Sequence, residues 1–288
     1  TRAERDAVDW NEVIRRVDAG IQTDFAPVAQ PEVLFDDWKR LIARVRNVDR
    51  PSDFGRPDYM LLGPADSTDR YKAWLATDVA ARRPFQIVTK DRRIHGAAGP
   101  ATPGKYFGYN QNTIFQEGRG TYRWSYYYFH RYGTGSSWQQ GAQDALTVTE
   151  MDLLKAEALI RLNRAGEAVP LINKSRVAKG ELPPVTIDGP PDEPGCVPRK
   201  ANGACGSLWD ALRYEKRVEM VGVDPTVAFF DARGWQTLVE NSILHLPVPG
   251  RELGTLRLPN YSFGGPGGQG SAPAPDAERC PVALARCP

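Results

Sequence analysis

The clearest hydrophobic pattern along the chain predicts two consecutive helices joined by a tight turn. The first helix, 150–163, carries apolar residues three and four positions apart, which places them on one face. They are Met151, Leu154, Ala158 and Leu162. Thr147 and Glu150 have the spacing of a capping box at its start. Gly166 is predicted to make the turn into a second helix, 166–179. Such a hairpin cannot bury its apolar face alone, so further helices must stack on it.

Similar spacing predicts other helices before and after this hairpin. The segments are 3–20, 35–45, 71–81 and 208–221. Between residues 84 and 141 the helical period fades, and the aromatic segment 121–129 alternates in the manner of a strand or an extended loop. Pro- and Gly-rich stretches separate the helices. The pattern therefore predicts a mainly α protein with tetratricopeptide-like helical hairpins and long irregular loops.

Length and composition suit one large domain or two small ones. The chain has 288 residues, of which 41% are hydrophobic, enough for a substantial core. We interpret residues 1–256 as a single helical domain that lacks its N-terminal part, and 257–288 as an irregular Pro/Gly-rich tail. The chain begins at Thr1, without an initiator Met or a signal-peptide pattern, so we expect a processed or partial product of a longer precursor.

Charge and hydropathy argue against two classes of partner. The net charge of +2 is close to neutral, and the sequence has no block of Lys and Arg, which disfavours a nucleic-acid surface. The sequence also has no run of about 18 apolar residues, the length that a membrane-spanning helix requires.

All four cysteines lie in Pro/Gly-rich loops. They are Cys196, Cys205, Cys280 and Cys287. Three pairings are possible. Short-loop closure favours Cys196–Cys205 and Cys280–Cys287, because thiols close in sequence lose less entropy on joining. Free thiols are the alternative, whereas the cysteine spacing and the scarcity of His fit a metal site poorly. Disulfides would indicate the periplasm or the cell exterior.

The aromatic segment 122–132 is the best candidate for ligand contact. In an extended segment Trp124, Tyr126 and Tyr128 would share one face, and Trp138 lies in the following loop. Aromatic rings stack on the flat C–H faces of sugars. The alternative interpretation is that this face packs against the helices as core.

Five charged residues near the C-terminal third could form an acid–base site. They are Glu215, Arg217, Glu219, Asp231 and Arg233. Glu215 and Glu219 are four residues apart and share a helix face, the proximity that a pair of catalytic carboxylates requires. We favour a buried ion network in which Arg217 or Arg233 holds a carboxylate. The three histidines, His95, His130 and His245, show no metal spacing. We therefore assign no catalytic residue, cofactor or metal ligand.

Five segments occur in the order found in the SusD/RagB family. The segments are 150–164, 167–176, 215–219, 229–233 and 246–253. They resemble, in turn, the family's E-x-x-L-L-x-A-E-A-x-x-R-L, E-A-x-x-x-I-N-x-x-R, E-R-R-x-E, R-W-F-D-L-R and L-P-I-P-x-x-E-L motifs. Together they cover about 146–256, so the chain resembles the C-terminal portion of a family member.

The resemblance implies a nutrient-binding outer-membrane lipoprotein on the extracellular face, with a lipid anchor upstream of residue 1. Proteins of this family cap a TonB-dependent outer-membrane β-barrel of the SusC-like kind and deliver oligosaccharides or peptides to it. They work by lid opening and not by catalysis. One alternative is a structural or accessory protein-interaction subunit of an extracellular surface assembly that reuses the helical scaffold. An extracellular hydrolase acting through Glu215 is the other.

Overall fold

The computed structural model describes residues 7–29, 56–111, 125–131, 141–142, 144–223, 227–238 and 248–259. These residues belong to two compact units, which are treated separately. The larger unit contains the described residues between 9 and 223, and the smaller unit contains 7–8 and those from 227 onward. Helices dominate both units, as the predicted mainly α class requires.

The elements of the larger unit are α1 (Trp10–Asp18), β1 (Val28–Ala29), α2 (Tyr59–Leu62), α3 (Arg70–Ala76), β2 (Phe107–Tyr109), β3 (Tyr127–Phe129), β4 (Gly141–Ala142), α4 (Val148–Arg161), α5 (Ala165–Ala178) and α6 (Leu208–Met220). Short 3-10 turns, Gly63–Ala65 and Val79–Ala81, follow α2 and α3. The smaller unit contains α7 (Val227–Gly234) and α8 (Gly250–Thr255). The predicted helix 35–45 lies outside the described residues.

Helix α1 begins later than its sequence pattern predicts. The Asp9 carboxylate accepts hydrogen bonds from the backbone N–H groups of Asn11 and Glu12 at 3.0 and 3.2 Å. This is an N-cap, which satisfies two of the donors that a helix start leaves without a partner. The predicted start at Ala3 is therefore wrong for residues 7–9, and residues 3–6 lie outside the described part of the chain.

Helices α4 and α5 form the predicted hairpin, with each boundary within two residues of the prediction. Thr147 accepts the predicted hydrogen bond from the Glu150 N–H at 3.0 Å. The turn itself is different. Asn163 has a φ of 61°, the left-handed conformation that ends many helices, and the Arg164 N–H bonds to the Leu159 carbonyl. Asn163 therefore reverses the chain, and the predicted turn residue, Gly166, lies inside the first turn of α5.

Helix α4 is the central helix of the larger unit. It packs against α1, α5 and α6, and α5 also packs against α6. Of the predicted stripe only Ala158 is buried, and Met151, Leu154 and Leu162 are half-buried. Because α4 has neighbours on several sides, Leu153, Ala156 and Ile160 are buried as well. The Arg161 guanidinium at its end lies between the indole rings of two other helices. Its distances to the ring centroids are 4.6 Å for Trp10 and 5.1 Å for Trp209.

A second region of core lies around α2, α3, the β2–β3 pair and α6. Its largest fully buried side chains include Tyr59, Phe107 and Tyr127. Strands β1 and β4 form a separate antiparallel pair. None of the described helices has the length and apolar character needed to cross a membrane.

A disulfide closes the loop that leads into α6. It joins Cys196 and Cys205, the pairing that short-loop closure favours. Within this loop the Arg199 N–H donates to the Pro64 carbonyl at 2.6 Å, which attaches the loop to the 3-10 turn after α2. Cys280 and Cys287 lie outside the described residues.

Candidate functional site

The β2–β3 pair separates its aromatic residues onto two faces. Phe107 lies opposite Phe129, and Tyr109 lies opposite Tyr127. Residues directly opposite in an antiparallel pair project to the same side of the sheet. Phe107, Tyr127 and Phe129 are buried in the core, so this side of the pair is structural.

The other side carries Tyr126 and Tyr128, which are both partly exposed. We call the surface formed by these two residues the tyrosine face. Tyr128 contacts the His130 ring, with 5.7 Å between the ring centroids. By strand alternation Tyr126 and Tyr128 project to the same side, but the Tyr126 ring also meets Tyr109, a residue packed against the core, with 6.0 Å between the ring centroids. Trp124 and Trp138, the other two candidates for ligand contact, lie outside the described residues.

The backbone beneath the tyrosine face is held by several hydrogen bonds. Ser125 Oγ donates to the Pro57 carbonyl at 2.7 Å and accepts from the Tyr127 N–H at 3.1 Å. The Tyr127 hydroxyl accepts from the Ile87 N–H at 2.9 Å, and burial raises the pKa of this phenol above its ordinary value. A contact surface on such a fixed backbone is preorganised for binding.

Gly108 makes room for Tyr128. It is the residue of β2 opposite Tyr128, and a Cβ added to it would lie 2.3 Å from the Tyr128 ring. A side chain at position 108 would therefore displace the tyrosine. Glycine at this position lets the ring lie across the neighbouring strand.

A cluster of charged side chains lies inside the larger unit. We call it the buried ion cluster, and its members are Asp91, Arg93, Arg176, Glu215 and Glu219. Arg93 donates to Asp91 at 2.7 Å, to Glu215 at 2.6 Å and to Glu219 at 2.9 Å. The side chains of these four residues have no solvent exposure. One arginine thus joins three carboxylates from two distant parts of the chain.

Further groups surround this arrangement. Arg176 approaches Glu215 at 3.4 Å. Lys179 and Arg131 approach Glu219 at 3.1 and 3.4 Å. The Tyr106 hydroxyl also donates to Glu219, at 3.0 Å. Besides Arg93, Glu215 is therefore contacted from α5, and Glu219 is contacted from the end of α5 and from the β2–β3 region.

The protonation states follow from burial and charge together. Burial acts to raise the pKa of the Asp91 carboxyl, but the Arg93 guanidinium outweighs it and holds that pKa below its ordinary value. Burial likewise acts to raise the pKa of Glu219, and Arg93, Lys179 and Arg131 together keep it lowered. Asp91 and Glu219 are therefore ionised carboxylates matched with cations.

These contacts favour the ion-network interpretation of Glu215 and Glu219 over acid–base catalysis. Both carboxylates are buried and engaged by protein groups, whereas a catalytic acid or base must reach the substrate's proton. Arg93, Arg176, Lys179 and Arg131 contact Glu215 and Glu219. That Arg217 or Arg233 also holds a carboxylate stays a prediction.

Asp231 and Arg233 lie on α7 in the smaller unit. They were candidates for the same acid–base constellation as Glu215 and Glu219. The contacts described for the two glutamates come from within the larger unit.

The sequence did not identify Asp91 and Arg93 as important. They lie in a loop without periodicity, and their partners in α6 are more than a hundred residues further on. One local signal was available, since the Arg93 N–H donates to the Asp91 carboxylate at 2.9 Å. An Asp two residues before such a donor is typical of a tight turn.

The two described histidines have different surroundings. His95 Nε2 accepts from the Thr89 N–H at 3.0 Å, and Nδ1 lies 2.9 Å from the Gly96 carbonyl. The acceptor role of Nε2 places the proton on Nδ1. His130 Nε2 is buried without a hydrogen-bond partner in the described part of the chain. His245 lies outside it. Among the described residues, no group of three or more His, Cys, Asp or Glu side chains could hold a metal ion.

Comparisons of the chain with protein-family models, with curated proteins and with solved structures found no match. The function must therefore be argued from the residues and contacts of the chain itself.

Proposed function

We propose that the chain is a nutrient-binding protein of the SusD/RagB kind. It would bind an oligosaccharide or a peptide on the extracellular face of the outer membrane and pass it to a TonB-dependent, SusC-like β-barrel. The tyrosine face is the observation that carries this proposal. The five ordered segments that resemble the family's motifs support it.

The α4–α5 hairpin supports the finer assignment of the scaffold. Each helix has 14 residues, and three residues connect them. Both helices pack against α6, and α4 also packs against α1. We propose that this hairpin is one tetratricopeptide-like unit, because it buries its apolar surface by stacking on neighbouring helices as repeat units do.

The tyrosine face suits binding by stacking. Tyr126 and Tyr128 present rings that are apolar on the face and polar at the hydroxyl, a combination that is common at binding surfaces. Neighbouring Tyr127 and Phe129 are buried and hold the strand in place. A ligand that stacks on the tyrosine face therefore meets a surface that needs little ordering.

Replacing Tyr128 by Ala tests the proposal. The affinity for an oligosaccharide or peptide is expected to fall about fivefold, because a ring–ligand contact worth about 1 kcal/mol is removed. Isothermal titration with maltohexaose, cellohexaose, xylohexaose and hexa-alanine would measure the change. Gly108→Ala should weaken binding too, because the added Cβ displaces the Tyr128 ring.

Phe25→Ala is the matched control, since Phe25 is an exposed aromatic residue outside the β2–β3 pair. It should leave the affinity unchanged. Absence of binding to every probe at millimolar concentration would count against the proposal and favour the structural or accessory subunit. Copurification of the chain with a large outer-membrane β-barrel would support the transporter partnership.

A further inference from the structure

We infer that His130 is a ligand-binding residue that supplies a hydrogen bond at the edge of the tyrosine face. This inference rests on the proposed function. His130 follows Tyr128 by two residues, so its side chain leaves the extended backbone on the same side. The two rings are 5.7 Å apart and inclined by 44°. The imidazole thus extends the aromatic surface beyond Tyr128.

The state of the imidazole nitrogens indicates a binding role. His130 Nε2 is buried, and none of the described residues gives it a hydrogen bond. Buried polar atoms in folded proteins are nearly always hydrogen-bonded, so each exception calls for a specific explanation. His95 shows the usual arrangement, in which both ring nitrogens face backbone groups. His130 Nε2 therefore lacks the hydrogen bond that Nε2 of His95 makes.

The backbone of His130 is fixed while its ring can adjust. Its N–H donates to the Tyr106 carbonyl at 2.8 Å, and the next residue, Arg131, donates to the Glu219 carbonyl at 2.9 Å. The Cβ–Cγ torsion of a histidine has broad energy wells, so the ring can turn at low cost. Because Nε2 is buried in this structure, contact with a ligand on the tyrosine face requires such a turn. A neutral imidazole can then donate to or accept from a ligand hydroxyl or amide.

His130→Phe tests this role because it keeps a flat ring and removes both nitrogens. Binding to maltohexaose, cellohexaose, xylohexaose and hexa-alanine is measured by calorimetry, and the melting temperature by circular dichroism. The affinity for the probe that the wild type binds should fall at least fivefold. The melting temperature should stay the same or rise, because a buried nitrogen without a partner has been removed.

Two further variants make the result specific. His130→Gln retains a hydrogen-bonding group and should keep more of the affinity than His130→Phe. His95→Phe serves as the structural control. It should lower the melting temperature, because the Thr89 N–H and the Gly96 carbonyl lose their partner.

The outcomes separate this inference from the proposed function. Equal affinity of the wild type and His130→Phe, with weaker binding by Tyr128→Ala, would overturn the inference and leave the proposed function standing. A lowered melting temperature with unchanged affinity would also overturn it, by assigning His130 a structural role. Failure of the wild type to bind any probe would overturn both.

Discussion

At the scale of single residues, the larger unit depends on charges that are balanced inside the protein. Arg93 serves Asp91, Glu215 and Glu219 at once. Taking these groups out of water is costly, and the cost is offset only while each charge keeps its partners. Loss of the shared arginine would leave several buried carboxylates with too few cations. Arg93 is therefore the most sensitive position of the buried ion cluster.

Arg93→Met is expected to lower the free energy of unfolding by about 3–5 kcal/mol, the range observed when one partner of a buried ion pair is removed. Urea denaturation followed by circular dichroism would measure it. Arg164→Met is the control, because Arg164 pairs with Glu167 on the exposed surface, where ion pairs contribute little. Equal effects of the two substitutions would show that the buried ion cluster is not important for stability.

The sequence predicted part of this cluster and missed the rest for a physical reason. The spacing of Glu215 and Glu219 places both on one face of α6, and their burial in an ion network followed from that. The identity of the cations could not be predicted from spacing, because the contact between Arg93 and Glu215 joins residues 122 positions apart. Local spacing carries no information about such a pairing.

At the scale of elements, helix bodies followed from the hydrophobic pattern, whereas the α4–α5 turn did not. Apolar spacing and the Thr147 cap locate α4 to within two residues. Glycine is the usual residue in a left-handed turn, so Gly166 was the expected position. Asn163 takes that conformation instead, as its short polar side chain permits. Which of these two residues makes the turn depends on where α4 ends, and a hydrophobic pattern locates the end of a helix less precisely than its body.

Gly166→Ala should raise the free energy of unfolding by about 0.5–1 kcal/mol, because alanine suits a helix better and restricts the unfolded chain. Nothing lies within 4 Å of the Cβ that would be added. Asn163→Ala should lower the free energy of unfolding by about 1 kcal/mol, since alanine is less tolerant of a positive φ. Thermal unfolding of both variants would measure the effects. A lower free energy of unfolding for Gly166→Ala together with a higher one for Asn163→Ala would indicate that Gly166 makes the turn.

At the scale of the whole molecule, the predominance of helix was predictable and the core around β2–β3 was not. The spacing of apolar residues predicts α4, α5 and α6, because each of these helices carries its apolar residues within one continuous segment of the chain. The core that contains Tyr59, Phe107 and Tyr127 collects residues from short helices, short strands and loops and from one face of α6. Its assembly depends on tertiary contacts that no local window contains.

The buried carboxylates should make the protein sensitive to acid. The pKa values of Asp91 and Glu219 are lowered in the folded state from ordinary values of 3.8 and 4.5. Their contribution to stability is therefore complete above these ordinary values and is lost as the pH falls through the lowered ones. Urea denaturation at pH 7, 5 and 3 should show little change between the first two and a marked loss at pH 3.

A surface carboxylate provides the control for this prediction. The pKa of Glu12 is lowered to about 2 by hydrogen bonds from Arg15 and Arg16 and by their charge, yet Glu12 lies on the exposed side of α1, where solvent screens the pair. Glu12→Gln should leave the loss of stability between pH 5 and pH 3 unchanged. A free energy of unfolding that stays constant from pH 7 to pH 3 would contradict the prediction.

The long separation between Arg93 and Glu219, 126 residues along the chain, has a consequence for how the protein is made. Synthesis proceeds from the N-terminus, so Arg93 emerges well before α6 exists. Until α6 has been added, a nascent chain cannot complete the buried ion cluster and must keep these charges in water. Fragments that end before α6 should therefore fail to form this part of the larger unit. Helix α6 supplies Glu215 and Glu219, two of the three carboxylates that Arg93 contacts.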